Sequence, residues 1–332
     1  MANDYRIQVY GHDWAQQMLR RARQQDATRH AYLFLGPEHI GKTTLARAFA
    51  QALTCENPDD ETGLGACGRC RSCRLAAEGM HPDHRFFAPA GNQLVIEQIR
   101  EVVREASRSP IESRFKVFII TSFERANVNA ANALLKTLEE PSATTRIILV
   151  SHQPSGLLDT IISRCQLLRL RPLPEKVIIS ALQARSGLSE QNALRLARLS
   201  NGRPGIALAL AKDPDAWQNY NERIDEMLAI LDASTAERMA IAQAMEKAGR
   251  LETILQEWLL WWRDVLVIQN GGASLVINQD RLSDLRQLAE RIPKNQVRRF
   301  IEAIMATAGY LRRNVNRQLA LEALLLKAPP GR

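Results

Sequence analysis

The sequence predicts an α/β domain built on a parallel sheet and followed by helices. Two observations lead to this fold class. Short apolar runs alternate with helical patterns up to residue 173, and such alternation is typical of a parallel sheet flanked by helices. Beyond Pro174 strand patterns almost disappear, apart from one short apolar run at 274–278. The chain of 332 residues is long enough for two or three domains of ordinary size.

Five short segments rich in Val, Ile, Leu and Phe are the predicted strands. Such runs are typical of strands buried on both faces. The five segments are residues 30–36, 81–89, 116–122, 145–151 and 166–174. Apolar residues at three- and four-residue spacing predict the helices between them. These helices cover residues 12–25, 42–53, 95–108, 129–141 and 156–165.

The change of pattern after the last strand predicts three domains. The first, residues 1–173, holds the sheet and an insertion at 55–80 that is rich in Cys, Gly, Asp and Arg. The second, residues 174–212, consists of two or three short helices. The third, residues 213–332, consists of longer helices.

The composition, with 45% hydrophobic and 24% charged residues, is that of a folded globular protein. It excludes a chain that is mainly disordered, collagen-like or a small disulfide scaffold. The net charge of +8 is concentrated near the C terminus, where residues 281–332 hold 11 Lys and Arg against 4 Asp and Glu. Such a segment faces nucleic acid, an acidic partner or only solvent, and the sequence leaves these alternatives open.

A cytoplasmic location is expected. The first residues contain no apolar stretch typical of a signal peptide. The most apolar later segment, residues 253–269, is interrupted by Glu257, Arg263 and Asp264, so it predicts a buried amphipathic helix rather than a membrane span. In the cytoplasm the five cysteines are expected to be reduced.

A glycine-rich motif connects the first predicted strand with the following helix. It fits G-x-x-x-x-G-K-[ST], with Gly36, Gly41, Lys42 and Thr43 at the fixed positions. The strand–loop–helix context is the one that a phosphate-binding P-loop requires, and it argues against a chance glycine turn. Backbone N–H groups of such a loop point at phosphate oxygens, helped by the helix dipole. Lys42 would bind the β and γ phosphates, Thr43 would bind Mg²⁺, and Thr44 would complete a site for ATP or ADP.

Hydrolysis by a P-loop protein usually requires acidic residues that this sequence lacks at the expected place. In most such proteins an apolar strand ends in an Asp that holds Mg²⁺, often followed by a Glu that orients water. The candidate strand here ends in Thr121 and Ser122, and Glu124 lies two residues further on. Because catalysis depends on position, we predict a site that binds nucleotide but hydrolyses it poorly or not at all. The alternative is that the acids follow another strand, but the segment 145–151 also ends without one.

Four cysteines with the spacing C-x11-C-x2-C-x2-C lie within the insertion. They are Cys55, Cys67, Cys70 and Cys73. Four thiolates can complete a tetrahedral shell around Zn²⁺, and a full shell leaves no open position, so the predicted zinc is structural. A redox-active C-x-x-C pair and an iron–sulfur cluster are the alternatives. His81 and His84 follow closely, but we predict that they are surface or loop residues because the shell is already complete.

A short motif, Ser163-Arg164-Cys165, separates the last predicted helix of the first domain from its last strand. From the residues alone, an ordinary salt bridge would explain Arg164 equally well. Cys165 lies outside the four-cysteine group and is predicted to be a buried small hydrophobic residue.

Together these features resemble the subunits of the bacterial DNA polymerase III clamp loader, which are AAA+ proteins. The matching segments are residues 30–46 (HAYLFLGPEHIGKTTLA), the four-cysteine module, residues 129–141 (NAANALLKTLEEP), residues 162–165 (ISRC) and residues 314–327 (NVNRQLALEALLLK). They cover nearly the whole chain, and their combination is specific although each one alone is not.

The resemblance implies an AAA+ nucleotide-binding domain, a small helical lid and a helical collar that joins five subunits in an open ring. It implies that the four cysteines bind zinc. It also implies that Arg164 is an arginine finger, which completes the ATP site of a neighbouring motor subunit. The implied partners are the gamma or tau and delta subunits, the sliding clamp and primed DNA.

Two departures from the motor subunits indicate the stator, the subunit that supports clamp loading without hydrolysing ATP itself. Motor subunits have an Asp-Glu pair where this sequence has Thr121 and Ser122. They also have a lid arginine where it has Gly205, and Arg203 is out of register.

Three questions stay open on the sequence alone. The polar sensing residue of the resembling proteins corresponds here to Ser151 or His152. The P-loop is intact, unlike that of stators that have lost it, so nucleotide binding is undecided. An ATP-hydrolysing motor subunit and a stand-alone P-loop NTPase are the alternative functions. The missing acids count against both alternative functions. The motif at 162–165 and the collar-like C-terminal segment count against a stand-alone NTPase.

Overall fold

The computed structural model describes residues 4–59, 61, 63–91, 93–311 and 315–330. The outer ends of the first and third predicted domains lie outside these residues. So do two positions of the predicted insertion and the first residue of the segment 314–327. Contacts divide the described chain into two compact units. The first unit runs to Ala193 and includes Ser200–Leu208, whereas the second comprises Leu194–Leu199 and the chain from Ala209 onward. The division into three domains stays a prediction.

The first unit is built on a five-stranded parallel sheet, as the sequence predicts. The strands are β1 (Ala31–Leu35), β2 (His84–Phe87), β3 (Lys116–Ile120), β4 (Thr145–Ser151) and β5 (Gln166–Arg169). Their order is β2-β3-β4-β1-β5, and each neighbouring pair is parallel. Strands β1, β3 and β4 are buried along their whole length because helices cover both faces. The segments that follow these strands therefore lie at one edge of the sheet, where α/β proteins bind ligands.

Helices make up much of the first unit. They are α1 (Asp13–Gln24), α2 (Lys42–Leu53), α3 (Arg71–Glu78), α4 (Ile96–Ala106), α5 (Val128–Glu139), α6 (Asp159–Ile162), α7 (Glu175–Ser186), α8 (Glu190–Leu199), which continues into the second unit, and α9 (Pro204–Leu210). One apolar cluster buries Leu19 and Phe49 against the sheet, and a second one buries Ile99 and Leu134 on the opposite face. Helix α6 is shorter than the predicted segment 156–165 because the chain must leave the helix before β5 begins.

The second unit is entirely helical. Its helices are α10 (Ala216–Asp232), α11 (Thr235–Ala248), α12 (Leu251–Ile268), α13 (Leu282–Arg291), α14 (Lys294–Leu311) and α15 (Arg317–Leu325). Helix α12 packs against α10, α13 and α14 and buries Trp258, Trp261 and Trp262, which confirms the predicted buried helix at 253–269. None of the helices in the described part of the chain has the length and apolarity that a membrane crossing requires.

The apolar run at 274–278 is not a strand. It begins with a 3₁₀ turn at Ala273–Leu275. Buried Asp264 of α12 accepts the backbone N–H groups of Ile277 at 2.8 Å and Asn278 at 2.9 Å. These backbone donors therefore bond to a side chain instead of a neighbouring strand.

Part of the basic C-terminal segment is paired within the second unit. Arg281 forms ion pairs with Asp225 and Asp284, and Arg291 forms one with Asp232. These arginines are therefore partly neutralised by their own chain.

Candidate functional site

The P-loop motif forms a tight loop between β1 and α2. Gly36 has φ 156°, and a Cβ atom there would lie 2.4 Å from the carbonyl oxygen of Leu170, so only glycine fits. Helix α2 begins at Lys42, directly after the loop. The first N–H groups of a helix lack partners within it and are suited to bind an anion. The structure thus confirms the predicted strand–loop–helix context.

Lys42 is folded back onto its own loop. Its Nζ donates to the carbonyl oxygens of Gly36 and Pro37, both at 2.6 Å, and the residue is only 4% exposed. Burial lowers the pKa of Lys42 to about 8, although Glu124 and Glu38 oppose this shift. A charged phosphate oxygen is a stronger acceptor than a neutral carbonyl. The buried ammonium can therefore exchange these two hydrogen bonds for bonds to a phosphate.

Two carboxylates and one imidazole meet beside Lys42. Glu124 accepts the backbone N–H of His152 on Oε2 at 3.2 Å, and its Oε1 lies 3.6 Å from the Nε2 atom of His152. The same Nε2 lies 3.4 Å from Oε1 of Glu38 and 3.2 Å from Oγ of Ser122. Burial lowers the pKa of His152, and Glu124 opposes this effect. Glu124 thus reaches the P-loop despite its sequence offset, but its carboxylate is engaged with His152.

The structure distinguishes the two candidates for the polar residue after β4. Ser151 is fully buried, and its hydroxyl donates to the carbonyl oxygen of Gln153 at 2.8 Å. His152 instead faces the P-loop. The hydroxyl of Thr121 donates to the carbonyl oxygen of Phe87 at 3.2 Å, so it is directed towards β2.

Gly205, at the start of α9, lies against the P-loop. Its backbone N–H donates to the carbonyl oxygen of His39 at 2.9 Å. A Cβ atom at position 205 would lie 2.9 Å from that oxygen and 3.2 Å from Cβ of His39. The lid arginine expected in motor subunits would therefore not fit here in this arrangement. Arg203 belongs to the same segment; burial lowers its pKa, and Glu38 opposes this shift.

These groups line a cleft of about 410 Å³, a volume within the ordinary range for small-ligand sites. Its lining residues are Glu38, His39, Gly41, Lys42, Thr43, Thr44, His152 and Gly205. The cleft thus brings together four of the predicted nucleotide-binding residues. The sequence analysis missed Glu38, although an acid inside a phosphate-binding loop was visible in the motif.

The four cysteines of the insertion converge on one point. Their Sγ atoms all lie within 4.8 Å of one another. The Sγ–Sγ distance is 4.0 Å for Cys55 and Cys70 and 3.9 Å for Cys67 and Cys73. With Zn–S bonds of about 2.3 Å, a regular tetrahedron has edges of about 3.8 Å. The four sulfur atoms therefore fit a metal ion the size of zinc, and the distances exclude disulfide bonds.

Backbone donors support the negative charge that metal binding requires. The N–H groups of Cys67 and Cys73 point at the Sγ atoms of Cys55 and Cys70, each at 3.3 Å. The hydrogen bond from Cys73 lowers the pKa of Cys55 to about 5, and the same contact raises the pKa of Cys73. Cys55 is thus the residue of the cluster that favours the thiolate, whereas burial raises the pKa of Cys70.

His81 lies in the loop before β2, which agrees with the prediction of a surface or loop residue, although it is buried; His84 is the half-buried first residue of β2, so the prediction is wrong for it. His81 is 3% exposed, and its ring stacks on that of His84 with centroids 4.3 Å apart. His81 Nε2 lies 3.0 Å from Oγ of Ser72, and His84 Nε2 lies 3.0 Å from Oγ1 of Thr54. The two rings therefore connect the cysteine module to α2 and β2.

Arg164 lies at the surface between α6 and β5. Its Nη2 is 2.7 Å from Oε1 of Glu139, and its Nη1 donates to the carbonyl oxygen of Thr160 at 3.0 Å. About a third of the side chain (35%) remains exposed. The neighbouring Cys165 packs against the apolar cluster of α5, and burial raises its pKa to about 12. Cys165 is only partly buried, so the prediction of a small hydrophobic residue holds for its packing but not for full burial.

The sheet order, the P-loop before α2 and the helical second unit define a P-loop protein of the AAA+ class. Two family models match the chain. One is described as DNA polymerase III, delta subunit, and matches residues 11–174. The other is described as DNA polymerase III, delta subunit, C terminal, and matches residues 214–328.

Curated relatives narrow the assignment. The DNA polymerase III subunit delta' of Bacillus subtilis is 33% identical over 313 residues, which are 93% of each chain. The subunit delta' of Escherichia coli K12 is 32% identical and covers 90% of this chain and 88% of its own. The tau subunit of E. coli is 29% identical over 90% of this chain and 50% of its own. The chain belongs to the DNA polymerase III delta-prime subunit family.

Proposed function

We propose that the chain is the delta-prime stator subunit of a cytoplasmic DNA polymerase III clamp loader. In this role it helps to load the sliding clamp onto primed DNA, in a heteropentamer with gamma or tau and delta subunits. The delta-prime relatives, which align along nearly the whole chain, support this proposal.

The observation that carries the proposal is the position of Arg164. Its guanidinium is partly exposed on the surface, while the acids expected for hydrolysis are replaced by Thr121 and Ser122. In the proposed role Arg164 acts in trans on the ATP of a neighbouring motor subunit. An arginine so placed stabilises charge on the transferring phosphoryl group and contributes about 10³–10⁵ in rate.

The chain's own P-loop would hold ATP or ADP with Mg²⁺ but turn it over slowly. Gly36, Gly41, Lys42, Thr43 and Thr44 would contact the phosphates and the metal. Four of them line one cleft, and the fifth, Gly36, accepts a hydrogen bond from Lys42, which supports this role. The partners of Thr121 and Glu124 support weak hydrolysis, because the hydroxyl of Thr121 donates to the backbone of Phe87 and the carboxylate of Glu124 is engaged with His152.

The four cysteines would hold a structural Zn²⁺. Their tetrahedral spacing, the N–H donors at the sulfur atoms and the lack of an open position support this assignment. The ion would fix the insertion against α2 and would take no part in phosphate chemistry.

One observation favours a second candidate, an ATP-hydrolysing motor subunit. Glu124 lies close enough to Lys42 to affect its pKa, so an acid is present at the P-loop after all. Release of Glu124 from His152 would give it access to the cleft.

Reconstitution with motor subunits separates the two candidates. We expect negligible ATP turnover by the purified chain alone, and a lowered DNA-stimulated ATPase when the complex contains Arg164→Ala. The variant should keep its fold and zinc content, because Arg164 is partly exposed. Turnover of a few per second by the chain alone would favour the motor role, and an unchanged rate with R164A would refute the finger.

A further inference from the structure

The contacts of Arg164 come from two elements. The carboxylate of Glu139, at the end of α5, binds Nη2 at 2.7 Å. Nη1 is held by the carbonyl oxygen of Thr160 at 3.0 Å, and Oγ of Ser163 lies 3.4 Å from it. Thr160 and Ser163, like Arg164 itself, thus lie in or next to α6, whereas Glu139 comes from α5.

Glu139 stands on the more firmly anchored element. Helix α5 has 12 residues, and the side chain of Asn127 caps its first turn by accepting the N–H of Ala130 at 2.8 Å. Leu134 and Leu138 are buried against the sheet. Helix α6, by contrast, has only four residues. A carboxylate on α5 therefore adds a contact from a longer, separately packed helix to the contacts that Thr160 and Ser163 make with Nη1.

We propose that Glu139 is a positioning residue for Arg164, which keeps the guanidinium oriented for a phosphate on a neighbouring subunit. This inference rests on the proposed role of Arg164 in trans. Glu139 would not contact the nucleotide. It would act only through the ion pair.

The ion pair between Glu139 and Arg164 is weak enough for the guanidinium to be oriented by Glu139 without being withheld from a phosphate. Both side chains are partly exposed, at 35% and 48%. Exposed ion pairs change an equilibrium by a factor of about five at most. A guanidinium has five N–H donors, so pairing with Glu139 leaves donors for a phosphate. If Glu139 instead withheld Arg164 from the phosphate, removing the carboxylate would raise the rate, which is the opposite sign.

The test compares Glu139→Ala, Glu139→Gln, Arg164→Ala and the double variant E139A/R164A in the assembled clamp loader with primed DNA. The difference in ATP turnover between the wild-type complex and the R164A complex gives the turnover of the ATP site that Arg164 serves. We expect E139A to remove about two-thirds to four-fifths of that turnover, which is a three- to five-fold loss at the site. E139Q retains an acceptor oxygen and should lose less than half. The KM for ATP should stay within about two-fold in both Glu139 variants, because Glu139 does not bind nucleotide.

Two controls separate positioning from a structural effect. Glu140→Gln removes the adjacent exposed carboxylate and should leave turnover unchanged. In the R164A background, E139A should cause no further loss, whereas a damaged fold would lower the rate in both backgrounds.

Each other outcome decides against the inference. Wild-type or raised turnover in E139A, with a reduced rate in R164A, would overturn the role of Glu139 alone. Additive losses in the double variant would assign Glu139 a structural role. An unchanged rate in R164A would overturn the finger itself, and with it a residue that acts through the finger.

Discussion

A single added methyl group at Gly205 tests the contact between α9 and the P-loop. Within a helix, alanine is favoured over glycine by about 1 kcal/mol. Here the new Cβ would lie 2.9 Å from the carbonyl oxygen of His39, which is a backbone atom that cannot turn aside. We expect the steric effect to prevail, so Gly205→Ala should lower the free energy of unfolding by about 1–3 kcal/mol. Denaturant unfolding measures the change.

Gly309 in α14 provides the matched control. A Cβ added there meets no atom within 4 Å. Gly309→Ala should therefore stabilise the chain by up to about 1 kcal/mol through helix propensity alone. If G205A were as stable as G309A, the close contact with His39 would not exist in solution.

The positions of Glu124, His81 and His84 depend on a local turn and on hydrogen bonds that the sequence pattern does not reveal. Glu124 follows its strand at the wrong spacing for an acid of hydrolysis, but the 3₁₀ turn Phe123–Arg125 returns it to the edge of the sheet. Ser122 enters this turn with φ 51°, a value that spacing along a strand does not predict. His81 and His84 are polar and are predicted to be surface or loop residues, whereas their hydrogen bonds to Ser72 and Thr54 and the stacking of their rings accompany their burial.

The cysteine module is the element whose stability should depend on metal. We expect one zinc per chain by metal analysis, and Cys67→Ser should lower zinc affinity by about ten-fold or more because one of four ligands is lost. Chelation should increase hydrogen exchange around residues 55–73, because the ion would no longer join the four thiolates.

Cys165→Ser is the control for this experiment. Cys165 is the remaining cysteine and packs against the cluster of α5, away from the other four. It should leave the zinc content at one per chain. Full zinc content in C67S, or a loss in C165S, would argue against the four-cysteine site.

Secondary structure was predictable wherever local pattern and burial agree. Strands β1, β3 and β4 were found because their runs are buried throughout, whereas β2 and β5 carry only two apolar residues each and were found from shorter apolar pairs. The strand-like run at 274–278 and the predicted helix at 156–165 differ in type or extent from the structure because residues outside each segment decide its conformation. Asp264 takes the backbone donors of the run 274–278, and the start of β5 ends α6 early. Helix α3, within the insertion, was not predicted, although four of its eight residues are apolar.

At the scale of the whole molecule, each unit has an apolar core of its own. The unfolding of each unit can be followed by a different signal, zinc release for the first and tryptophan fluorescence for the second. All four clustered cysteines lie in the first unit, so zinc release reports its unfolding. Four of the five tryptophans, Trp217, Trp258, Trp261 and Trp262, lie in the second unit. Trp14 of the first unit is half exposed and should contribute little to the fluorescence change. Fluorescence should therefore follow the second unit.

Phe300→Ala should separate the two transitions. Phe300 is 1% exposed and packs edge-to-face on Trp262 with centroids 5.2 Å apart. Its truncation should cost the second unit about 3–5 kcal/mol and lower the fluorescence midpoint, while the midpoint of zinc release stays in place. Met305→Ala on the same helix removes a half-exposed side chain and should change stability by less than about 0.5 kcal/mol. Equal shifts of both midpoints in F300A would mean that the two units unfold as one cooperative body, and that damage to the helical unit reaches the P-loop and the cysteine module directly.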